Sequence, residues 1–231
     1  PDWAVSFPNE SDLTGRWHGF IEAGYWWIEV GVPWHPIKDN NQIAHELLRN
    51  VLGVWDHIKN RGRHGAENYG LEFVGFWPYK RETRRVLGDF VITQHHVQNP
   101  QPLEDAVAYG VWGIDIHTTG GILARDKEPY PPPRRDENWD KYGSLPYGIP
   151  LRALYSRNIE NLMMAGRPIS CSYVGFASSR VLSTGPIVGQ AVGTAAAIAR
   201  RYNKTPREVA RDHIKEVQQV ILRQDGHIPG V

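Results

Sequence analysis

The residues best placed to do chemistry lie in the last third of the chain. Ile159 to Ala165 reads as a short apolar strand, and Gly166-Arg167 stands where it ends. A loop follows, and then a helix of small residues from about Gly185 to Arg201, in which Gly185, Gly189 and Gly193 recur every fourth position. Removing side chains along one helix face lets the backbone approach a sheet or a flat ligand closely. The start of such a helix offers unpaired N–H groups and the positive end of the dipole, which stabilise a phosphate or another anion. The same pattern also describes a helix packed tightly on a sheet.

Other reactive residue types are spread more widely. His117 lies two positions after Asp115, so in a strand the two would share a face and form an acid–base pair; the alternative is a structural histidine. Arg81, Arg84 and Arg85 are candidates for holding an anionic or hydroxyl-rich substrate, with Arg84 favoured, or they are ion-pair partners of Glu82 or Asp89. Tyr173 is a candidate proton donor or acceptor, or a packed aromatic. His95 and His96 are adjacent and have no metal-ligand spacing, and the sequence assigns no metal ligand. Cys171, the only cysteine, excludes an intrachain disulfide and a cysteine-based metal site, and reads as a small buried residue.

Several elements must position these residues. Residues 20–32 read as one or two strands, followed by a helix from Asp39 or Asn40 to about Lys59, with Ile43, Leu47, Leu48, Val51, Leu52, Trp55 and Ile58 at helical spacing. Gly62 and Gly65 end it. Leu71 to Trp77, Val86 to Thr93 and Tyr109 to Ile116 read as further strands. Residues 126–150 are charged and proline-rich, an irregular loop with Tyr130, Trp139, Tyr142 and Tyr147 to bury. Thr205-Pro206-Arg207-Glu208 is a capping box that opens a last helix through Ala210, Ile214, Val217 and Ile221.

The 231 residues carry a net charge of +1, nine Trp, ten Tyr, 17 Pro and 23 Gly, a globular composition with shaped loops and no sign of a nucleic-acid partner. Val181 to Ala199 lacks charge but is rich in Gly, Ser, Thr and Ala, so a buried helix explains it better than a membrane span. The compartment stays open. The chain starts at Pro1-Asp2-Trp3 without an initiator Met and is read as a processed or fragmentary product.

Several blocks in order resemble the FAD-dependent oxidoreductase family, of the glutathione-reductase-like flavoprotein fold. They are Trp55 to Asn60, Lys80 to Gly88, Gly113 to His117, Ile149 to Arg152, Tyr155 to Arg157, Asn161 to Ser170, Ser178 to Val181 and Gly189 to Ala196. The resemblance covers nearly the whole chain. It implies an α/β (α+β) fold, the C-terminal part of an FAD/NAD(P)-binding flavoprotein, with residues 1–150 as substrate-side or cap region and 151–231 as the returning segment of the FAD domain.

By the same analogy Gly166 and Arg167 lie beside the FAD phosphates and ribitol. Gly185, Gly189 and Gln190 fall in the first turns of a helix aimed at the flavin pyrimidine, and Arg180 sits near the cofactor or orients the loop before that helix. Tyr173 occupies the place of a histidine usual in the family, Gly185-Pro186 that of a frequent cysteine, and Gln94-His95-His96 that of a Gln-x-Asp stretch. No Gly-x-Gly-x-x-Gly unit is present, so the resemblance implies a partner chain or fragment that carries it. The implied activity is hydride transfer from a small organic substrate, a sugar or other polyol, to flavin. The competing reading is a non-catalytic carbohydrate-binding or scaffold subunit, with Trp26, Trp27 and Trp34 as stacking residues.

Overall fold

The structure, a computed structural model, describes residues 1–61, 64–81, 83–127 and 146–231. The chain forms two compact units, residues 1–83 with 117–132, and residues 84–116 with 133–231. The described residues form a mixed structure of helices and one small sheet.

In the first unit the main element is helix α1, Asn40–Asp56, continued by a π-helical turn, His57–Arg61. The helix forms where its apolar spacing placed it, but its buried face differs from the expected one. Glu46, Asn50 and Gly53 are buried together with Ile43 and Val54, whereas Leu47, Leu48, Val51 and Leu52 are only half-buried. The reason is local. Asn50 Nδ2 donates to the backbone carbonyl of Glu46 at 2.8 Å and to its carboxylate at 3.2 Å, so both polar groups are satisfied without water. Gly53 lies against the N-terminal segment so closely that a Cβ there would stand 1.9 Å from the Val5 carbonyl oxygen.

Around α1 gathers a core of Phe7, Leu13, Trp27, Val54, Ile58, Ala66 and Ile122. Arg16 is almost fully buried, and its guanidinium donates to the carbonyls of Gly121 and Ala124, tying residues 121–124 to the N-terminal segment. The strands expected over residues 20–32 and Leu71 to Trp77 are absent among the described residues. A 3-10 turn, Ile21–Ala23, and an isolated Gly31–Pro33 bridge replace the first. Aromatic and β-branched residues here supply bulk to a loop-built core without forming a ladder. Trp27, a stacking residue only in the competing carbohydrate-binding reading, is a core residue whose Nε1 donates to the Trp17 carbonyl at 2.9 Å.

The second unit is built on an antiparallel pair, β1 Ala106–Gly110 and β2 Tyr147–Pro150. The expected strand at Tyr109 to Ile116 therefore lies earlier, and residues 111–116 are irregular. Of the proline-rich stretch, residues 128–145, with Tyr130, Trp139 and Tyr142, lie outside the described residues. Tyr147 is buried as expected, in β2. Val86 to Thr93 is an extended segment rather than a strand of the sheet. Its N–H groups at Val86, Phe90 and Ile92 donate to Pro168, Arg152 and Ser170.

Four helices complete this unit in the last third of the chain: α3 Tyr173–Ser179, α4 Thr184–Tyr202, α5 Pro206–Asp212 and α6 Ile214–Arg223. A further short helix, Gln94–Gln98, follows the extended segment. Helix α4 lies on β1, burying Val188, Ala191, Ala195 and Ile198 in a core shared with Ala106, Ala108, Ile149, Phe176 and Val217. The capping box of α5 is present as expected, with Thr205 Oγ1 accepting from Glu208 N and Glu208 Oε2 accepting from Thr205 N at 2.8 Å. The expected single last helix is broken at His213 into α5 and α6. Buried Gln218 of α6 donates Nε2 to the carbonyls of Glu104 and Ala106. Helices α3 and α4 meet at 95°, and among the described residues no single helix is long and apolar enough to cross a membrane.

Candidate functional site

Gly166 has φ +74°, a conformation glycine adopts without steric cost. It follows an isolated Tyr155–Met163 bridge, where Met164 N donates to Leu154 O at 2.7 Å. That single bridge replaces the strand expected over Ile159 to Ala165. Ile159 and Leu162 are exposed, so the segment has only one buried anchor, Met164. Arg167 is exposed beside it.

A Cβ built at Gly166, Gly185, Gly189 or Gly193 would meet nothing within 4 Å. This corrects the idea of a glycine face pressed on a sheet. The face of α4 that packs on the sheet is the one carrying Val188, Ala191 and Ala195. The glycine backbone is left open instead. Gln190 donates Nε2 to Gln224 Oε1 at 3.2 Å, beside a groove that also involves Gly193, Thr194 and Val220.

The loop expected between Gly166 and this helix contains α3. Tyr173 is its first residue and is 46% exposed. Ser172 caps it by accepting from Gly175 N at 3.1 Å. Gly175 allows α3 to sit on the extended segment, since a Cβ there would lie 2.5 Å from the Ile92 carbonyl. At the other end of α3, Arg180 donates to the Asp115 backbone oxygen at 3.0 Å and to its carboxylate at 2.6 Å. Arg180 thereby fixes the segment around Asp115.

Arg84 is exposed at the start of this unit. Arg85 is engaged: its Nε donates to Cys171 O at 3.0 Å and its guanidinium lies over the Phe176 ring. Asp89, a candidate partner for these arginines, is held instead by Arg207 at 2.6 and 2.8 Å and by the Tyr155 hydroxyl. The Arg207 hydrogen bonds keep the Asp89 carboxyl below its usual range. Burial pushes the Cys171 thiol up to about 11.

His117 belongs to the first unit. The strand expected to give it a face in common with Asp115 is absent. Residues 111–118 are not a strand, so the two-residue spacing gives no shared face, and the Asp115 carboxylate is taken by Arg180. The carboxylate beside His117 is Glu29, whose Oε1 lies 2.8 Å from His117 Nδ1. Arg81 pairs with the other Glu29 oxygen, and Trp26 packs edge-on against the imidazole. Glu29 was not legible as a site residue, because 88 positions separate it from His117. His95 and His96 sit on the Gln94–Gln98 helix, where His96 Nδ1 accepts from Thr93 N at 3.1 Å and closes its N-terminus.

The first unit also gathers Glu10, His18, His57 and His64, their side-chain ligand atoms all within 4.8 Å of one another. Only His57 lies in a block picked out by the sequence, and the spread over 55 positions conceals the grouping. Glu10 is held below its ordinary pKa, chiefly by the hydrogen bond from His18, and burial pushes His64 below its own.

The model of a family described as FAD dependent oxidoreductase matches residues 4–221. No curated protein and no solved structure gives a significant match.

Proposed function

The chain belongs to the FAD dependent oxidoreductase family, and on that premise we propose that it forms the C-terminal part of an enzyme that oxidises a small organic substrate, a sugar or other polyol. FAD is the cofactor of this family. A nucleotide-binding segment carrying Gly-x-Gly-x-x-Gly, on a partner chain or fragment, would complete the cofactor site. In this division residues 1–150 serve the substrate side and residues 151–231 the cofactor side.

The observation that carries this reading is the open glycine backbone. Gly166, at positive φ, and Gly185 and Gly189, in the first two turns of α4, have no neighbour that requires glycine. Backbone left bare in this way suits a flat or phosphorylated group approaching from outside the described chain. The residues fit FAD in this sense. Gly166 and Arg167 would border its phosphates, and the N–H groups at the start of α4 would face the flavin ring. Arg180 would act at one remove, by holding the turn that leads into α4. When bound, FAD supplies the hydride acceptor at N5. The chain supplies position, a helix dipole that favours negative charge, and candidate proton carriers in Tyr173 and in His117 with Glu29. Arg84, exposed, is the candidate for holding substrate hydroxyls.

The test is the absorbance spectrum of the protein purified from its native source, with mass analysis of every co-purifying polypeptide. Flavin bands together with a polypeptide carrying Gly-x-Gly-x-x-Gly are expected. Gly189→Phe should then lower flavin content while leaving helicity unchanged. No flavin, even after adding FAD, would overturn the reading.

One observation favours a carbohydrate-binding role without flavin. Trp26, Phe73, Phe76, Trp77 and Tyr79 are exposed, from 53% at Trp26 to 93% at Tyr79. Exposed aromatic faces stack on sugar rings. Polysaccharide binding in the absence of flavin, lost in Trp26→Ala and Trp77→Ala, would favour this role over catalysis.

A further inference from the structure

We propose that Glu10, His18, His57 and His64 form a binding site for a divalent transition-metal ion, with Zn²⁺ as the chemically best-matched occupant. The three imidazole rings stand in a near-equilateral triangle, with centroids 5.4, 5.3 and 5.3 Å apart. Packed hydrophobic cores do not need three histidines edge to edge. Each ring has an expensive polar perimeter, and two of these are sealed from water: the side chains of His57 and His64 are 1% and 5% exposed.

The orientation of each ring carries the inference further. His57 Nδ1 lies 2.7 Å from the Phe7 carbonyl oxygen. A carbonyl can only accept, so the ring nitrogen must carry the proton, and in the neutral ring the lone pair is on Nε2. His18 holds its Nδ1 on the Arg16 carbonyl in the same way, and its Nε2 donates to Glu10, a proton that an incoming ion would displace. Backbone carbonyls holding one ring nitrogen so that the other presents its lone pair are the usual outer shell of metal-bound histidine.

What those lone pairs face is the fourth group. His57 Nε2 and His64 Nε2 are buried and have no hydrogen-bond partner. They stand 3.5 and 3.4 Å from Glu10 Oε1, while His18 Nε2 is 2.9 Å from Glu10 Oε2. Two unsatisfied buried nitrogens aimed at one carboxylate leave a site whose missing component is a cation. Three neutral imidazoles and one carboxylate match Zn²⁺, which takes four nitrogen or oxygen ligands at about 2.0–2.2 Å. Small inward movements of Glu10, the one exposed member, would close the shell. The alternative, protonated histidines around Glu10, would crowd several positive charges behind one carboxylate in a buried pocket.

The elements explain what such an ion would do. Glu10 opens a 3-10 turn, Glu10–Leu13, that is held by the Asn9–Asp12 capping box. His18 follows Arg16, and His57 begins the π-helical turn at the end of α1. An α-helix widened into π geometry turns side chains out of register with the preceding helix, and such turns recur at functional sites. The ion would tie residues 10–18, the end of α1 and the chain at His64 into one knot. Its role is structural, a clamp on the first unit and independent of the flavin.

The experiment uses the full chain, with Zn²⁺ and Co²⁺ as probes. Metal analysis after dialysis should give about one Zn²⁺ per chain, and Co²⁺ loading should give the intense visible bands of a four-coordinate site. EDTA should lower Tm, and Zn²⁺ should restore it, because an ion that binds only the folded state stabilises it by mass action. His18→Gln and His64→Gln should lose stoichiometric Zn²⁺, and their Tm should not respond to EDTA. Glu10→Gln, on the exposed side, should weaken Zn²⁺ binding by roughly 10-fold or more without unfolding the chain. It keeps the test decisive if the histidine variants fail to fold. His213→Gln, whose ring stacks on Tyr202, should bind as the parent does. Equal Zn²⁺ content in the parent and in Glu10→Gln and His18→Gln, or no uptake by the parent, would overturn the proposal.

Discussion

Glu29 Oε1 stands 2.8 Å from His117 Nδ1, and the second oxygen of the same carboxylate pairs with Arg81. One carboxylate thus fixes two cationic or titratable side chains from distant parts of the first unit, all three about four-fifths removed from solvent. Replacing Glu29 by Gln removes the charge that Arg81 and His117 share, at a cost of about 1–2 kcal/mol. Because His117 and Arg81 share that partner, Glu29→Gln and His117→Gln should be non-additive in urea unfolding, with a coupling of at least ~0.5 kcal/mol. Strict additivity would show that the pair is not formed in solution.

Why His117 was legible and Glu29 was not follows from range. Period and capping are local signals, so α1, α4 and the Thr205 box could be read from neighbours a few residues apart. Tertiary partners at separations of 47 to 118 positions, such as Arg152 with Asp105 and Arg207 with Asp89, leave no local trace. The strands failed for a related reason. Residues such as Tyr25, Trp27 and Ile28 suit a sheet, but they meet a loop-built core in which Trp27 is fixed by Trp17. Among the proposed cofactor residues, the glycines were readable because their spacing is itself the signal. Their surroundings were not, and the face expected to press on a sheet is open.

Gly53 and Gly189 should respond oppositely to alanine. At Gly53 the new Cβ would be 1.9 Å from the Val5 carbonyl oxygen, and backbone cannot move aside cheaply. Gly53→Ala should therefore destabilise the first unit by about 1–3 kcal/mol. At Gly189 there is nothing within 4 Å, so alanine should raise stability by about 0.5–1 kcal/mol through helix propensity. Urea midpoints of the two variants decide the matter. A destabilised Gly189→Ala would mean that α4 packs against something in solution on its glycine face.

Acid should weaken the second unit through two carboxylates. The Thr205 backbone N–H, with Lys204, holds Glu208 at about 2. The Arg207 hydrogen bonds lower Asp89. Both folded-state values lie below the unfolded ones, so the folded state is favoured while both groups are ionised. That advantage is complete above the ordinary values of 4.5 and 3.8 and fades as pH falls through them toward the lower folded values. Tm measured from pH 6 down to pH 2 should fall most steeply below about pH 4.5. Asp89→Asn with Glu208→Gln should begin lower and fall less. An unchanged slope in the double variant would show that other carboxylates govern the acid limb.

Cys171 should be inert in the folded protein. It is 5% exposed, its thiol donates to Ile169 O at 3.4 Å, and burial raises its pKa to about 11 despite the nearby Arg85 charge. Alkylation requires both access and thiolate, and near pH 8 the folded site offers little of either. Iodoacetamide should therefore label Cys171 only at the rate of local or global opening, so that labelling accelerates with urea in step with unfolding. Arg85→Ala removes the nearby positive charge that favours the thiolate and should not speed labelling unless it opens the Cys171 backbone contact. Rapid labelling of the native parent at pH 8 would show an accessible, activated thiol and would make Cys171 a candidate redox group.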